Sequence, residues 1–354
     1  MNTKYIVPIL AIVLIVSVSG CTGMEFPGLK NLFGTGTSAI EESADIITID
    51  KIDVIPTPPI TAENEFSLSY ILKNQDTKQS INNVIVKLYN WGICSPNAAL
   101  FTPEGWTLDK GIYYKNFEEL VPLQGEGIEW SFNAPNNNKI GNIEADCPIK
   151  WEVDYVFSAM THDDFAVISR ERQREFDRSG QAWEGTDSDQ RVGIGPVKVY
   201  FDWKTPMPLQ SNSSIQFSLQ VADRGTGIYP AVEAKSMKLK IPASWIAGLS
   251  EEDKAGPCNG KFQAEGTTSS AGSGTGSNIN ANVILATEDG YVVYENVNDI
   301  TLIKRESPEI ICRFKAPDLD GAGLPEQSYF VTANITDYTY KMTADETVSI
   351  KPSV

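Results

Sequence analysis

An internal repeat is the feature that most constrains the fold of this 354-residue chain. Residues 57–74 read TPPITAENEFSLSYILKN and match residues 205–224, which read TPMPLQSNSSIQFSLQVADR. Both stretches contain Thr-Pro, a polar turn and Phe-Ser-Leu. Further along, WSFNAP at 130–135 matches CRFKAP at 312–317, and an aromatic strand pattern follows each. A repeat on this scale predicts one structural unit written twice.

Each unit alternates apolar and polar residues over short runs such as NVIVKLY, SMKLKI and YVVYENV, with Pro, Gly, Asn and Asp between them. This spacing predicts an all-β chain of two tandem antiparallel β-sandwiches, at 46–169 and 193–354. Each unit is large enough for its own core, and we expect the units to share no strand. The Gly/Ser-rich tract 264–282 predicts a mobile loop inserted into the second unit.

The stretch between the units, RERQREFDRSGQAWEGTDSDQ, begins at Arg170 and is rich in arginine. Glutamate and aspartate residues interleave with the arginines and leave the run nearly neutral, so it predicts a solvated linker at 170–192 or an edge strand. It is not the basic stripe that nucleic-acid binding requires.

The N-terminus has the layout of a secretory signal. Lys4 precedes an apolar run at 6–16, which ends in small residues before Cys21. The run is shorter than the roughly 20 apolar residues of a membrane-spanning helix. Val18-Ser19-Gly20-Cys21 resembles the lipobox of prokaryotic lipoproteins, and this resemblance implies a signal peptide at 1–20 and a lipidated Cys21. An ordinary signal peptide or an uncleaved anchor are the alternatives.

The segment 21–45 would then tether the protein to the membrane. As a flexible coil it would reach about 25 to 30 Å. We expect the first unit to lie next to this tether and the second unit to be distal.

Four cysteines remain after Cys21, two in each unit: Cys94, Cys147, Cys258 and Cys312. Exported chains meet oxidising conditions, which favours disulfides. We expect Cys94 to pair with Cys147 and Cys258 with Cys312, although four cysteines allow three pairings. Zinc is disfavoured because no two of these cysteines have the C-x2-C spacing.

The pattern F-x-L-x-Y-x-L-x-N-x-D followed by NNVIVKLY, at 66–89, resembles the opening strands of the cell-adhesion-related Ig-like domains of bacterial and archaeal surface proteins. It recurs more weakly in the second unit, where Asp223 replaces the asparagine. The resemblance implies tandem Ig-like sandwiches used for adhesion or assembly.

Several residues are candidates for binding sites. Trp106 and Trp183 lie in loop-like contexts and are candidates to bind a partner, whereas Trp91 and Trp245 follow strands and are expected to cap the cores. Asp318 and Asp320 in DLDGAG could hold calcium, although a turn alone explains them. Asn212 and Asn334 fit the glycosylation pattern.

The sequence offers few candidate catalytic side chains. The only histidine, His162, lies beside Asp163 and Asp164 and is expected in an acidic hairpin turn. We therefore predict no catalytic residue and no cofactor.

Removal of Lys4 with the signal leaves 28 basic residues against 46 acidic ones, a net charge of about −18. This charge disfavours nucleic acid as a partner and predicts that the body stands off anionic lipid.

The sequence as a whole predicts a lipid-anchored protein on the extracytoplasmic face of the cell membrane. It would be a non-catalytic binding or structural component of a cell-surface assembly, with a surface protein or glycan as its partner. A carbohydrate-binding adhesin and a surface hydrolase are the alternatives.

Overall fold

The computed structural model describes residues 45–353 except for 98, 100–104, 182, 184–187, 230, 251–252, 255 and 266–286. The predicted signal peptide, Cys21, the tether before Asp45 and most of the 264–282 insertion therefore lie outside the described residues. The strands are β1 (Ile47–Ile55), β2 (Ile60–Thr61), β3 (Glu65–Asn74), β4 (Ile81–Asn90), β5 (Ser95–Pro96), β6 (Thr107–Asp109), β7 (Ile112–Leu120), β8 (Gly125–Asn133), β9 (Ala145–Ile168), β10 (Asp189–Val192), β11 (Val197–Trp203), β12 (Leu209–Gln210), β13 (Ser214–Asp223), β14 (Ala231–Val232), β15 (Met237–Pro242), β16 (Phe262–Ala264), β17 (Thr287–Glu288), β18 (Tyr291–Asn296), β19 (Ile300–Thr301), β20 (Ile310–Lys315) and β21 (Glu326–Lys351).

Helices are short and lie between strands. Those that lie wholly within the described ranges include the α-helices Asn137–Ile140, Arg170–Ser179 and Leu319–Ala322 and the 3-10 turn Ala243–Trp245. The prediction of an all-β, antiparallel sandwich is confirmed.

Both halves of the chain have the same strand order, as the repeat predicts. In the first half, β1, β3 and β8 form one sheet, and β7, β4 and β9 are adjacent in a second. In the second half, β11, β13 and β20 form one sheet, and β18, β15 and β21 are adjacent in the other. The two copies therefore place equivalent strands in equivalent positions.

The two sheets of each half pack face to face through aromatic side chains. In the first half, Tyr70 on β3 stacks on Trp151 on β9 with ring centroids 5.2 Å apart. In the second, Phe165 on β9 contacts Trp203 on β11 at 4.7 Å. Tyr70 and Trp151 are almost fully buried, so each ring contributes the large apolar area that dominates a core of this kind.

The long strands β9 and β21 join the halves. They pair antiparallel along nearly their whole length, from Ala145 opposite Ile350 to Ile168 opposite Glu326. Every second residue of β9 from Cys147 to Val167 is buried, so the strand keeps one face towards the core throughout. On the partner strand β21, a bulge after Ile335 shifts the register, so that buried side chains continue to face the core beyond it. We call this β9–β21 ladder the spine.

Each spine strand begins in its own half and ends in the other. The end of β21 pairs in parallel with β2 of the first half, where Ile350 lies opposite Ile60. The end of β9 pairs in parallel with β12 of the second half, where Val167 lies opposite Leu209. The exchange is therefore reciprocal.

This exchange corrects the expectation that the units share no strand, because β9 and β21 belong to both sandwiches. The large sheet consequently has twelve strands and crosses the predicted boundary. The predicted linker 170–192 contains the helix Arg170–Ser179, whose residues are not buried, and β10, which pairs with β9. The residue limits of the domains remain a prediction.

The chain enters the described structure near the middle of the spine. Both carboxylate oxygens of Asp45 accept hydrogen bonds from the Thr226 N–H of the second half, at 3.1 Å. The Ile46 carbonyl accepts from the Gln75 N–H of the first half at 2.7 Å. The entry point therefore contacts both sandwiches, which differs from the expected position beside the first unit alone.

The loop that receives Asp45 is fixed on the centre of β21. The Ile228 N–H donates to the Lys341 carbonyl at 2.8 Å. A Cβ at Gly227 would lie 2.2 Å from that carbonyl, so only glycine permits the approach. The Arg305 guanidinium also donates to the Gly227 carbonyl at 2.6 Å. We call the surface formed by Asp45, residues 223–229 and residues 303–306 the waist.

Candidate binding surface

The outer face of the large sheet carries alternate residues of β9, β21, β15 and β18, whose neighbours point into the core. In the first half this face is dominated by ion pairs: the Lys87 amine contacts Glu152 at 3.0 Å and also contacts Asp154, and Lys341 contacts Glu152 at 3.0 Å. These charges neutralise one another, which is typical of a solvated sheet face.

In the second half the same face carries a group of stacked aromatic rings. The Phe330 ring lies between His162 and Tyr291, with centroid distances of 4.8 and 4.4 Å and interplanar angles of 32° and 26°. The Lys240 amine lies 5.4 Å from the centre of the Tyr291 ring. We call these four residues and Asp164 the stacked patch.

Strand register explains why these rings meet. Phe330 is opposite Asp164 and Thr332 is opposite His162 in the spine, so the four side chains share one face. Tyr291 begins β18, which is separated from β21 only by β15. Burial raises the pKa of Tyr291, and the nearby Tyr329 and Asp164 add to the shift.

Polar contacts fix the orientation of His162. Its Nε2 lies 3.0 Å from the Asp164 carboxylate, and its Nδ1 lies 3.3 Å from the Thr332 hydroxyl. Arg191 on β10 lies opposite His162, and its guanidinium approaches Asp164 at 3.9 Å. The expectation of a hairpin turn at His162 is wrong, because the residue lies within β9.

Thr332, His162 and Asp164 follow one another in the order of a hydroxyl nucleophile, a base and a carboxylate. Acyl transfer also needs donors aimed at the developing oxyanion. Here Thr332 is in a central strand, paired with both β9 and β15, so the ladder engages the neighbouring backbone. The backbone N–H groups beside Thr332 are therefore used in strand pairing.

Asp163, next to His162, points to the opposite face. Asp163 is fully buried, and its carboxylate accepts a hydrogen bond from the Trp203 indole at 2.7 Å. Burial raises the pKa of Asp163 to about 6, despite the opposing effect of the hydrogen bond from Trp203. This carboxyl is a core group and is not accessible to a ligand on the outer face.

The two predicted binding tryptophans have different environments. Trp106 is only 6% exposed, and its ring packs 5.6 Å from Trp130, so it belongs to the core and is not available to stack on a ligand. Trp183 is half-buried and packs edge-on against Phe176 of the long helix at 5.7 Å. Trp245, expected to cap a core, is fully buried.

The predicted calcium carboxylates have structural partners. Asp318 caps the helix Leu319–Ala322 by accepting from the Gly321 N–H at 3.0 Å. Asp320 accepts from the Arg170 N–H at 2.9 Å. Within the described ranges, no group of three or more His, Cys, Asp or Glu side chains is placed to hold a metal ion.

The remaining predicted residues lie apart from the stacked patch. The structure contains both predicted disulfides, Cys94–Cys147 and Cys258–Cys312, so these pairings are confirmed. Asn212 is exposed in a turn, whereas Asn334 is half-buried in β21, opposite Lys238. Use of either asparagine for glycosylation stays a prediction.

Comparison with known proteins gives no family assignment. No family model and no curated protein matches the chain. Among solved structures, a Corynebacterium diphtheriae protein described as membrane-anchored is 9% identical and matches 87% of this chain and 92% of its own, with a TM-score of 0.19. The Enterococcus faecalis MSCRAMM ACE, described as binding its ligands by the collagen hug model, is 10% identical and matches 88% of this chain and 97% of its own, with a TM-score of 0.16. Similarity this weak carries no argument about function.

None of the helices in the described part of the chain has the length and hydropathy needed to cross a bilayer.

Proposed function

We propose that this chain is a lipid-anchored, extracytoplasmic and non-catalytic protein that binds another surface protein as part of a cell-surface assembly. The observation that carries the proposal is the stacked patch, where Phe330, Tyr291 and His162 form a partly buried aromatic group at the surface, beside charged residues. Aromatic side chains are enriched at the centres of protein interfaces, and polar or charged groups are typical of the surrounding rim.

The stacking geometry favours a protein partner over a glycan. Sugars bind to free aromatic faces, but the Phe330 ring already packs against Tyr291 at 4.4 Å and against His162 at 4.8 Å. Lys240 lies over the Tyr291 ring. What the patch offers a partner is ring edges together with Lys240 and Asp164, which suit side chains of a protein.

The contacts of His162 favour binding over hydrolysis. Its two ring nitrogens are engaged by Asp164 and Thr332, and Phe330 packs on the ring. These contacts hold the imidazole within the patch, and strand pairing on both sides of Thr332 engages the backbone N–H groups around it.

The membrane anchor in this proposal is supported by the lipobox-like Val18-Ser19-Gly20-Cys21. Two acyl chains, at about 0.8 kcal/mol per buried CH2, would hold the protein stably on a bilayer. Cys21→Ser should release the protein into the soluble fraction. Retention of this variant in alkali-washed membranes, with an uncleaved N-terminus, would show an anchor helix instead.

Cross-linking mass spectrometry on intact cells tests the binding function with the full chain in place. We expect Phe330→Ala and Tyr291→Ala each to reduce the yield of cross-links to the principal neighbour about tenfold, the loss expected of an interface hot spot. Tyr114→Ala is the matched control, since Tyr114 is a 36% exposed tyrosine on the outer face of the first half. Unchanged yields for both patch variants would contradict the proposal.

A further inference from the structure

The point at which the chain enters the body determines how an anchored molecule can stand on a membrane. Asp45 is bonded to Thr226 at the waist, and this loop is bonded to Lys341 in the spine. Lys341 lies opposite Asp154, near the centre of the 24-residue strand β9. At about 3.3 Å per residue the spine is about 80 Å long, with about 40 Å on either side of its centre.

The length of chain outside the structure sets the second condition. Residues 21–45 would reach about 25 to 30 Å as a flexible coil, which is less than half the length of the spine. If either end of the spine faced the membrane, this segment would have to stretch to about 40 Å, beyond its relaxed span, at a cost in conformational entropy. A waist close to the membrane imposes no such cost.

We propose that the waist is a membrane-facing surface, with a lipid bilayer as its partner, so that the spine lies along the membrane and neither sandwich is distal. This inference rests on the lipid anchor of the proposed function. It replaces the expected arrangement in which the first unit lies next to the membrane and the second is remote.

The chemistry of the waist suits a bilayer interface. Ile228 and Ile303 are 57% and 64% exposed and flank the Arg305 contacts. Lys304 and Arg305 are adjacent and exposed at the tip of a turn. Glu306, the nearest carboxylate on that turn, is neutralised by Arg224 at 2.8 Å. Across the whole waist the three basic residues Arg224, Lys304 and Arg305 balance the three acidic residues Asp45, Asp223 and Glu306. The waist is therefore apolar and close to neutral, although the whole chain is strongly acidic.

The backbone of that turn supports a fixed role for these residues. Lys304 and Arg305 both adopt left-handed backbone conformations, with φ of 52° and 73°, which cost free energy in non-glycine residues. The cost is offset by the Arg305 guanidinium, which donates to the Gly225 and Gly227 carbonyls. The clamp leaves Ile303 and Lys304 projecting beside the point where the tether enters.

Fluorescence energy transfer to an acceptor lipid tests the orientation of the protein on the membrane. Three variants of the full-length lipidated protein, each labelled with one donor fluorophore, are bound to phosphatidylcholine vesicles that contain the acceptor lipid. Ile143→Cys and Leu324→Cys label the opposite ends of the spine, since these exposed residues lie two positions before β9 and β21, respectively. Ile303→Cys labels the waist. We expect equal transfer from the two end labels and higher transfer from the waist label.

Transfer that is strong at one end, intermediate at the waist and weak at the other end would overturn the inference while leaving the anchor intact. A protein that fails to bind the vesicles, and behaves like Cys21→Ser, would overturn the anchor and the orientation together. Titration of free thiols in each variant checks that the two native disulfides are still formed.

Discussion

Ile350 lies opposite Ile60 in a parallel pairing that places the end of the last strand in the first sandwich. Both residues are buried, at 0% and 1% exposure. The first sandwich is therefore complete only when the C-terminal strand has been made and docked, and several predictions about stability depend on this order.

Truncation after Asp337 should prevent the first sandwich from folding. It removes the fully buried Tyr340, Val348 and Ile350 and leaves one edge of β9 unpaired. Loss of even one large core side chain costs about 2 to 5 kcal/mol, so the loss of three approaches or exceeds the whole stability of a typical domain. We expect an insoluble product with no cooperative unfolding transition by circular dichroism.

Truncation after Lys351 is the control, because it removes only residues 352–354 and should leave a cooperative transition. The same reasoning predicts that residues 46–169 alone do not fold. A soluble 46–169 fragment with a sharp transition would show that the strand exchange is dispensable.

Tyr340→Phe should reduce the free energy of unfolding by about 1 to 3 kcal/mol. The Tyr340 hydroxyl donates to the buried Asp223 carboxylate at 3.0 Å, and its removal leaves that carboxylate with less compensation for its burial. Urea denaturation measures the change. Tyr114→Phe, at a partly exposed hydroxyl, should change the midpoint very little, and equal effects of the two variants would contradict this account.

The Asp163 carboxyl should make stability depend on pH. Burial raises its pKa to about 6, whereas an unfolded chain titrates near 3.9. Between these values the native state holds a proton that the unfolded state has released, so this group's contribution to stability is present at pH 4 and is lost as the pH rises through 6. A shift of about two units corresponds to about 3 kcal/mol.

Asp163→Asn cannot ionise and keeps an oxygen for the Trp203 indole. Relative to the wild type, this variant should therefore gain stability between pH 4 and pH 7. Urea unfolding of both proteins at four pH values gives the difference directly, and a difference that does not vary with pH would show that Asp163 titrates normally.

Each disulfide should stabilise its own half. Cys94 and Cys147 are 53 residues apart, and Cys258 and Cys312 are 54 apart, and the chain-entropy model gives about 4 kcal/mol for loops of this length. Cys94→Ala with Cys147→Ala, and separately the other pair, should lower the melting temperature by comparable amounts. A large effect from one pair alone would show that the other loop is already restricted in the unfolded chain.

The strands of the repeat and the two disulfides could be predicted from the sequence because their determinants are local. Apolar alternation predicts β3, β4 and β13. Each half contains two of the four remaining cysteines, and this distribution indicates which cysteines form disulfides. The strand exchange could not be predicted in this way. Alternation indicates strand structure within residues 145–168 but does not identify the partner strand, and the short polar run at His162 is typical of a turn.

The stacked patch was missed for the same reason. Phe330 and Tyr291 are ordinary strand residues in the sequence, and only the register that places Phe330 opposite Asp164 shows that they meet His162. The loop-like sequence context of Trp106 gives no indication that its ring packs against Trp130 in the core. The apolar alternation from Cys147 to Ala159 resumes in the same phase at Phe165 and Val167, and this phase is the sequence signal that could locate His162 on an outer face.

The reciprocal exchange of β9 and β21 is the arrangement that two identical chains adopt when they form a dimer by swapping their last strands. Here the segment that follows Ile168 connects the two copies covalently. Such a connection replaces an association that depends on protein concentration with an intramolecular one at a fixed effective concentration. The exchanged form should therefore persist at any dilution, including that of a few molecules on a cell.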